Sequence, residues 1–293
     1  MTTNPHTGFI AFVSDCARWA LSGGTGFKIY LAALFSLMGA GAFAYSQQFQ
    51  TGLIATGMSN IVSWGLYISN FTFFVGVAAA AVMLILPAYI LKDKDLHKVV
   101  IIGEGVAVGA LIMCLMFITA DMGGPLKVWH MIPGIGLFNW PSSILTWDMI
   151  VLNGYLALNA IVPLYILYCN YHNRPPVDWK YRPFVFLSIF WAVSIHMVTA
   201  FLYEGLPARP FWNNPLLGPR FLASAFAAGP AVIMLVLIAI KQNTDHVVDT
   251  KIFSKLQRII VVSAVINLVM LFSEVFKEFY AFTHHSLSAQ YLF

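Results

Sequence analysis

The sequence predicts an all-α integral membrane protein, a polytopic helix bundle with seven visible spans. Its 293 residues are 59% hydrophobic and 10% charged, and the mean hydropathy of +0.78 excludes an ordinary soluble domain. Only helices satisfy their own backbone hydrogen bonds in lipid without closing a barrel, and the apolar runs are too long for barrel strands. Each run can cross a hydrocarbon core of about 30 Å at about 1.5 Å per residue. The runs cover roughly 27 to 45, 62 to 91, 99 to 120, 148 to 170, 184 to 203, 220 to 240 and 257 to 280.

The distribution of lysine and arginine predicts a cytoplasmic N-terminus. With that orientation, twelve of the sixteen basic residues lie on the cytoplasmic side. Lys127, Arg209 and Arg220 lie on the outer side, and Lys277 lies near the end of the seventh span. The formal charge of +4 is spread over short clusters with no basic face, so no nucleic-acid partner is expected.

Residues 1–25 are predicted to be a cytoplasmic tail, and residues 26–293 form the helix bundle. A cleaved signal peptide is disfavoured because the tail is long and contains Asp15. One helical face of the tail is apolar, which suits a short amphipathic helix on the inner membrane surface. That face carries Phe9, Phe12, Val13 and Cys16.

Two segments resemble each other and suggest an internal repeat. Residues 74–86 and 226–237 both run from small residues into a Met-Leu aliphatic block, and both enter from the outer side. Small residues recur at helix contacts in membranes, so a chance resemblance is the alternative. A duplicated four-helix unit, with spans one to four and five onward, would lack one span. The repeat therefore predicts eight or more spans in the complete protein and a chain truncated after Phe293.

Polar side chains within the spans are candidates for function, because a charge at mid-bilayer costs at least about 2.5 kcal/mol. Counted from the span ends, most lie in the outer half: Tyr67, Asn70, Asp121, Asp148, Asn153, His196 and Glu204. In the inner half, Glu104 lies about 8 Å into the third span beside Gly103, Gly105 and Gly109. Glu104 either extends to the inner surface or begins a proton route, and the glycines suit a close helix crossing.

Two further polar features have two interpretations each. Glu274, Lys277 and Glu278 are spaced for i,i+3 and i,i+4 pairing at the interface, or the two glutamates belong to a proton route. His196 is either an interhelical hydrogen bonder or a ligand.

The histidines and cysteines predict no metal centre. A membrane b-type haem needs axial histidines that face one another inside the bundle, and His196 is the one histidine of eight well inside a span. Three cysteines without CxxC spacing are expected to be packing residues. The remaining histidines lie in the tail, in loops or after the last span: His6, His97, His130, His172, His246, His284 and His285.

The outer loop between spans three and four is rich in Trp, Pro and Gly, a composition that suits the headgroup level of the membrane. Interface anchoring does not explain Asp121, His130 and Asp148 in the same loop. A second outer segment, residues 203–212, adds Glu204 and an arginine. Together these loops could bind a flat polar headgroup, with aromatic stacking, proton exchange through His and Asp, and an apolar tail left in lipid.

Four motifs carry a family resemblance: 64–76 (WGLY, then FTFFVG), 121–130 (DMGGP, then WH), 146–155 (TWD, then NGY) and 194–203 (SIHMVTAFLY). They resemble the NrfD-like family, the integral membrane subunits of polysulfide reductase and related respiratory complexes. Residues 205–212 (GLPARPFW) and 219–230 (PRFLASAFAAGP) favour the branch of DsrP, the membrane subunit of the DsrMKJOP complex of sulfur-metabolising prokaryotes. The resemblance covers roughly residues 60 to 285. Gly124 and Lys127 stand where the family usually or often carries arginine, which weakens any role for loop arginines here.

The resemblance implies a multi-pass subunit of the prokaryotic cytoplasmic membrane that binds menaquinone near the outer surface and holds no haem or iron-sulfur cluster itself. It would be part of a menaquinol/menaquinone oxidoreductase complex, not an enzyme alone. It would exchange electrons with a ferredoxin-like iron-sulfur subunit on the periplasmic side while protons move through the bundle. A c-type cytochrome and further membrane subunits are additional expected partners, with lipid around the bundle.

The family motifs imply that His130 and Asp148 transfer protons to and from the quinone. The residues expected to line or support the site are Tyr67, Asn70, Asp121, Trp129, His196 and Glu204. The residues expected on a proton route are Glu104, at its cytoplasmic end, Glu274 and Glu278.

Two rival functions remain open. A secondary transporter should place its polar residues and helix breaks near the midplane of both repeats, whereas here the polar residues concentrate in the outer half. A non-catalytic membrane anchor should keep quinol turnover in the assembled complex when His130 or Asp148 is replaced.

Overall fold

The computed structural model describes residues 8–60, 62–244, 247–280 and 286–292, and all regular structure in these residues is helical. His6, His246, His284, His285 and Phe293 lie outside the described residues. Short 3-10 turns cover Leu53–Thr56 and Pro125–Met131, and a π-helical turn covers Leu86–Ile90. The helices are α1 (Phe9–Leu21), α2 (Thr25–Thr51), α3 (Leu66–Ala78), α4 (Ala80–Ile85), α5 (Lys94–His97), α6 (Val100–Asp121), α7 (Ile144–Tyr171), α8 (Asp178–Glu204), α9 (Leu217–Asn243), α10 (Thr250–Tyr280) and α11 (Ser286–Leu292).

Seven helical segments of the described residues are long and apolar enough to cross a membrane, which confirms the predicted fold class. They are α2, the continuous segment Leu66–Ile90, α6, α7, α8, α9 and α10. Most extend beyond the apolar runs; α10, for example, begins at Thr250 and not near residue 257. Charged residues can continue a helix after it leaves the hydrocarbon, so hydropathy underestimates helix length. Below, "inner" and "outer" denote the helix ends as the charge pattern predicts them.

The second and sixth spans form the centre of the bundle. A Cβ atom on Gly229 of α9 would lie 2.7 Å from the backbone nitrogen of Ala80, so the two backbones nearly touch at this crossing. Small residues permit such an approach between membrane helices. Around this pair, α6 packs on α3 and α4, α10 packs on α9, and α8 packs between α7 and α9. Buried side chains form one apolar core in the outer half and a second in the inner half.

The glycines beside Glu104 have different surroundings. A Cβ on Gly103 would meet Leu84 Cδ1 at 2.6 Å, whereas a Cβ on Gly105 or Gly109 would meet nothing within 4 Å. The predicted close crossing therefore involves Gly103 but not Gly105 or Gly109, because only Gly103 lies on the face of α6 that packs on α4.

The packing suits the proposed repeat. Spans two and three pack together, spans six and seven pack together, and spans two and six contact each other. A duplicated unit would give this arrangement, and the repeat stays a prediction.

Helix α1 lies against the inner end of α7. Phe12 is buried, with its ring 5.4 Å from that of Tyr168 and 5.3 Å from that of Tyr171. The Tyr171 hydroxyl donates to Asp15 Oδ2 at 2.7 Å. The tail therefore contains a helix that is attached to the bundle, and its position on the membrane surface stays a prediction.

An ion cluster at the inner side ties α10 to the segment before α5. Lys255 Nζ donates to both carboxylate oxygens of Asp93, at 2.8 and 2.6 Å, and to Asp95 Oδ2 at 2.9 Å. Asp93 Oδ1 also accepts from the backbone N–H groups of Asp95 and Leu96 at the start of α5. The hydrogen bond from Lys255 lowers the pKa of Asp93, and it lowers the pKa of Asp95 as well.

We expect acidification to weaken this cluster. Because the folded-state pKa of each aspartate lies below its unfolded value of about 3.9, the stabilisation is complete above that value and is lost as the pH falls through the folded-state pKa. Thermal unfolding of the purified protein between about pH 2 and pH 5 measures this loss. Lys255→Met should reduce the acid sensitivity, whereas Lys251→Met on the exposed side of α10 should not. Equal acid sensitivity of wild type and Lys255→Met would contradict the assignment.

Substitution at the central crossing should destabilise the bundle. In Gly229→Ala the new methyl group would overlap the Ala80 backbone, which cannot move as a side chain can, and such overpacking costs about 1–3 kcal/mol. Gly109→Ala is the matched control, because its methyl group points into open space. Unfolding temperatures of the two variants in one detergent give the comparison. A Gly229→Ala variant as stable as Gly109→Ala would show that the crossing is looser than described.

Candidate functional site

Asp148 is a fully buried carboxyl group at the outer end of the bundle. It lies in the second turn of α7, where that helix packs on α6 and α8. Its Oδ1 accepts a hydrogen bond of 2.9 Å from the Thr199 hydroxyl of α8. Its Oδ2 is equally buried and has no partner among the described residues. A buried polar atom without a partner costs free energy, so this oxygen is suited to receive a hydrogen bond or a proton from a ligand.

Tyr203 connects α8, which holds Asp148 through Thr199, to α3. One turn after Thr199 on α8, its hydroxyl is hydrogen-bonded to the hydroxyl of Thr72 on α3. It lies within electrostatic range of both Asp148 and Asp121. Asp121 ends α6, and its Oδ1 is buried without a partner in the described part of the protein. We call these residues the outer polar cluster: Thr72, Asp121, Asp148, Thr199 and Tyr203.

Aromatic rings cover one side of the outer polar cluster. Trp64, from the segment before α3, stacks on Trp212 of the α8–α9 loop with centroids 5.8 Å apart and planes at 23°. The Tyr203 ring meets both indoles edge-on at 5.2 Å and lies 5.6 Å from Phe221. Flat ring faces beside buried carboxyl groups suit a planar, partly polar headgroup.

His196 lies one turn inward from Thr199 and is also buried. Its Nδ1 lies 2.6 Å from the carbonyl oxygen of Ala192, so this nitrogen carries a proton. The ring also lies beside the backbone of Val75, and its Nε2 has no hydrogen-bond partner among the described residues. The structure therefore places His196 as an interhelical polar group just below the outer polar cluster.

Further polar side chains are buried between His196 and the inner side of the bundle. Tyr155 and Asn159 lie one turn apart on α7, and both are buried. Tyr155 lies within electrostatic range of Glu104 on α6. The Tyr155 hydroxyl, Asn159 Oδ1 and Glu104 Oε2 each lack a hydrogen-bond partner among the described residues. Glu104 is only 2% exposed, so it does not extend to the surface, which was one of its two expected positions.

Several predicted site residues make their contacts elsewhere. Asn70 donates to the Leu66 carbonyl of its own helix at 2.9 Å. His130 and the exposed Trp129 lie in a 3-10 turn of the outer loop, with their rings 3.9 Å apart. Glu204 Oε1 accepts the backbone N–H of Gly218 at 3.1 Å, so this carboxyl group satisfies a free donor in the first turn of α9.

The acidic residues of α10 form a separate group. Glu274 is 1% exposed and pairs with Arg220 of α9. Glu278 is 3% exposed and lies 3.3 Å from Lys277. One carboxyl oxygen of each glutamate is buried without a partner among the residues that the structure describes. Among the described residues, the expected i,i+3 ion pair of Glu274 with Lys277 is not formed, because Lys277 pairs with the adjacent Glu278 and Glu274 pairs with Arg220. Spacing along α10 could not reveal Arg220, which belongs to another helix.

No three His, Cys, Asp or Glu side chains of the described residues are placed to hold a metal ion.

Comparison with known proteins identifies the family. The family model described as "Polysulphide reductase, NrfD" matches residues 55–293, which is most of the chain. The chain belongs to the NrfD family. The match includes the outer polar cluster and the aromatic rings beside it.

Three relatives illustrate the range of NrfD proteins to which this chain is similar. A putative dimethyl sulfoxide reductase membrane subunit of Halobacterium salinarum is 28% identical over 74% of this chain and 52% of its own length. The "Hdr-like menaquinol oxidoreductase integral membrane subunit" of Archaeoglobus fulgidus is 25% identical over 76% of this chain and 53% of its own length. A polysulfide reductase protein of Wolinella succinogenes is 23% identical over 58% of this chain and 56% of its own length. This NrfD protein therefore aligns with about half the length of each relative.

Sequence reasoning missed several members of the site. Thr72, Thr199 and Trp64 lie within the motifs quoted for the NrfD-like resemblance but were not expected to have a role, and Tyr203 was expected only as one of the aromatic rings of the outer segments. Position along a helix predicts depth but not the direction of a side chain around the helix. The signal that could have found them is spacing, because Thr199 and Tyr203 lie three and seven residues after His196 and share its helical face.

Proposed function

We propose that this chain is the quinone-reactive membrane subunit of a respiratory redox complex, of the type found in sulfur metabolism. It would exchange electrons between menaquinol or menaquinone and an iron-sulfur partner subunit, with associated proton transfer. The observation that carries the proposal is Asp148, a buried carboxyl group with one oxygen held by Thr199 and the other without a partner among the described residues. One relative's name includes menaquinol oxidoreductase, which supports the choice of menaquinone.

The outer polar cluster fits a quinone headgroup. Menaquinol, when bound, supplies two electrons and two protons. On oxidation, the free oxygen of Asp148 would accept a hydrogen bond from one hydroxyl group of the headgroup and then its proton. The second proton would leave toward the outer loop that contains His130, and the two electrons would pass to the iron-sulfur partner subunit. Thr199 holds the other oxygen and so orients the carboxyl group. Trp64, Trp212 and Tyr203 would lie beside the ring, with the prenyl tail left in lipid.

The proposed partner subunits would bind at the outer end of the bundle, where the outer polar cluster lies. We propose that the iron-sulfur subunit docks on the outer loops, on the periplasmic side of a prokaryotic cytoplasmic membrane. A c-type cytochrome and further membrane subunits would complete a complex of the DsrMKJOP type, with this chain in the position of DsrP. This assignment requires the N-terminus to be cytoplasmic.

His130 is proposed to assist proton release from the outer loop, a role that rests on motif resemblance. Its ring contacts Trp129, and its described interactions do not include the outer polar cluster. We therefore assign the first proton acceptor to Asp148 and expect His130 to contribute less.

Replacement of Asp148 should abolish most quinol turnover. Asp148→Asn keeps the size of the side chain but cannot take a proton, and general-base catalysis contributes about 10²- to 10⁴-fold. Turnover of a menaquinol analogue by the assembled complex is the measurement, with quinone content of the purified complex determined in parallel. Asn153→Ala is the control, because that amide donates to the Met149 carbonyl of its own helix.

His130→Ala should reduce the same turnover by a smaller factor than Asp148→Asn. Full turnover of both variants in an intact complex would favour a non-catalytic anchor. Absence of quinone together with transport of a solute by the protein would favour a secondary transporter.

We also propose that, when menaquinone is reduced at the outer polar cluster, the protons that it takes up come from the inner side, through Glu104, then Tyr155 and Asn159, then His196. This series consists of buried groups on three neighbouring helices, α6, α7 and α8, and each group has one polar atom without a hydrogen-bond partner among the described residues. Glu274 and Glu278 would offer a second proton-binding position at the outer end of α10, near Arg220.

Glu104→Gln should separate proton transfer from electron transfer. In sealed vesicles in which the complex reduces menaquinone, we expect proton uptake from the inner side to fall at least about tenfold. Menaquinol oxidation, which takes up no protons, should stay within about twofold. Glu278→Gln provides the comparison, since it should leave uptake from the inner side intact. Unchanged proton uptake in Glu104→Gln would rule out this acid as the entry point.

A further inference from the structure

Helix α2 has a single buried side chain, and that side chain is polar. It is 27 residues long, and none of its most apolar stretch is buried within the protein. Gln48, near its outer end, is its one buried side chain and is 7% exposed. The neighbouring Gln47 is exposed. A lone buried amide on an otherwise lipid-facing helix requires a reason for its position, because burial of a polar group is unfavourable unless it is hydrogen-bonded.

The Gln48 amide makes two hydrogen bonds to two different helices. Its Nε2 donates to the carbonyl oxygen of Ala120 at 2.7 Å, in the last turn of α6. Its Oε1 accepts from the Tyr67 hydroxyl of α3 at 2.6 Å. Carbonyl groups of a last helical turn have no partner within the helix, so Gln48 satisfies one of them. Ala120 directly precedes Asp121 of the outer polar cluster.

The hydrogen bond to Gln48 determines how Tyr67 can meet a ligand. Because the Tyr67 hydroxyl donates its proton to Gln48, its oxygen remains available only as an acceptor. The Tyr67 ring lies 6.4 Å from that of Phe117, which stacks on Phe74 at 5.8 Å with planes at 20°. An oriented acceptor therefore lies at the outer end of an aromatic surface between α3 and α6.

We propose that Gln48 is a positioning residue for a prenylated quinol: it orients the Tyr67 hydroxyl so that this oxygen accepts a hydrogen bond from the headgroup. The inference rests on the proposed function and deepens it. The ligand class is a planar dihydroxy-aromatic molecule with an apolar tail. Gln48 touches no reacting atom and acts through Tyr67.

The test is equilibrium binding to the full-length protein in lipid nanodiscs, with anaerobic menadiol and a prenylated menaquinol analogue as probes. Gln48→Leu should raise the Kd of both probes by about five- to tenfold, the effect of one hydrogen bond. Gln47→Leu should leave both values unchanged. An unchanged Kd in Gln48→Leu, or a rise only for the prenylated probe, would overturn the role in orienting the headgroup contact.

A double-mutant cycle distinguishes positioning from a general loss of packing. Tyr67→Phe should raise the Kd to a similar extent, and the double variant should bind no more weakly than Tyr67→Phe alone. Additive effects would mean that Gln48 does not act through Tyr67. Unfolding temperatures identify any variant that fails to fold. If Gln48→Leu fails, Tyr67→Phe decides alone, since it keeps the bond from Gln48 to Ala120, and an unchanged Kd would overturn the proposal.

The same titration separates this inference from the proposed function. Wild-type protein that binds neither probe would refute the proposed function. If wild type binds both probes and Asp148→Asn weakens binding, but Gln48→Leu does not, then only the role of Gln48 is refuted.

Discussion

The close crossing of the second and sixth spans determines where the other helices can pack. At Gly229 the backbone of α9 reaches the backbone of α4, and no larger residue would fit without displacing one of them. Both α6 and α8 pack on the second span, and α7 packs on both of them, so that the outer ends of α3, α6, α7 and α8 lie close together. The outer polar cluster forms at that meeting point. Its geometry therefore depends on apolar packing about half a span away.

Within this frame, burial of a polar group costs free energy unless it is hydrogen-bonded, and ten buried side-chain atoms of the described residues have no hydrogen-bond partner there. Asp148 and Glu104 are almost completely buried, and each has one oxygen without a partner among those residues. By contrast, Glu204 and Lys255 make hydrogen bonds that support helix ends and connections. This difference separates candidate functional groups from structural ones more clearly than depth does. It also explains why Asp148, and not the whole outer loop, carries the proposed function.

Hydropathy was sufficient to predict the helical class and the approximate spans, because lipid requires long apolar segments wherever a helix crosses. Depth counting placed His196 well inside a span and Asp148 at a helix end, which agrees with their positions in α8 and α7, but it did not predict that Asp148 is fully buried. It could not reveal that Thr199 holds Asp148, that Arg220 reaches Glu274, or that Gln48 joins α2 to α3 and α6. These contacts join residues distant in sequence, and their formation depends on the rotation of each helix about its axis. When most faces of a helix are apolar, its sequence gives little indication of which face packs against the other helices.

The most direct test of the central claim is to locate the bound quinone by photoaffinity labelling. A prenylated azidoquinone would be bound to the intact complex in its membrane, activated by light and mapped by mass spectrometry of the digested protein. We predict labelled peptides from the outer ends of α7 and α8, around Asp148 and Tyr203, and from the segment that contains Trp64, with competition by unlabelled menaquinone. Specific labelling confined to the 3-10 turn around His130, or to α10, would contradict the assignment of the quinone site to Asp148.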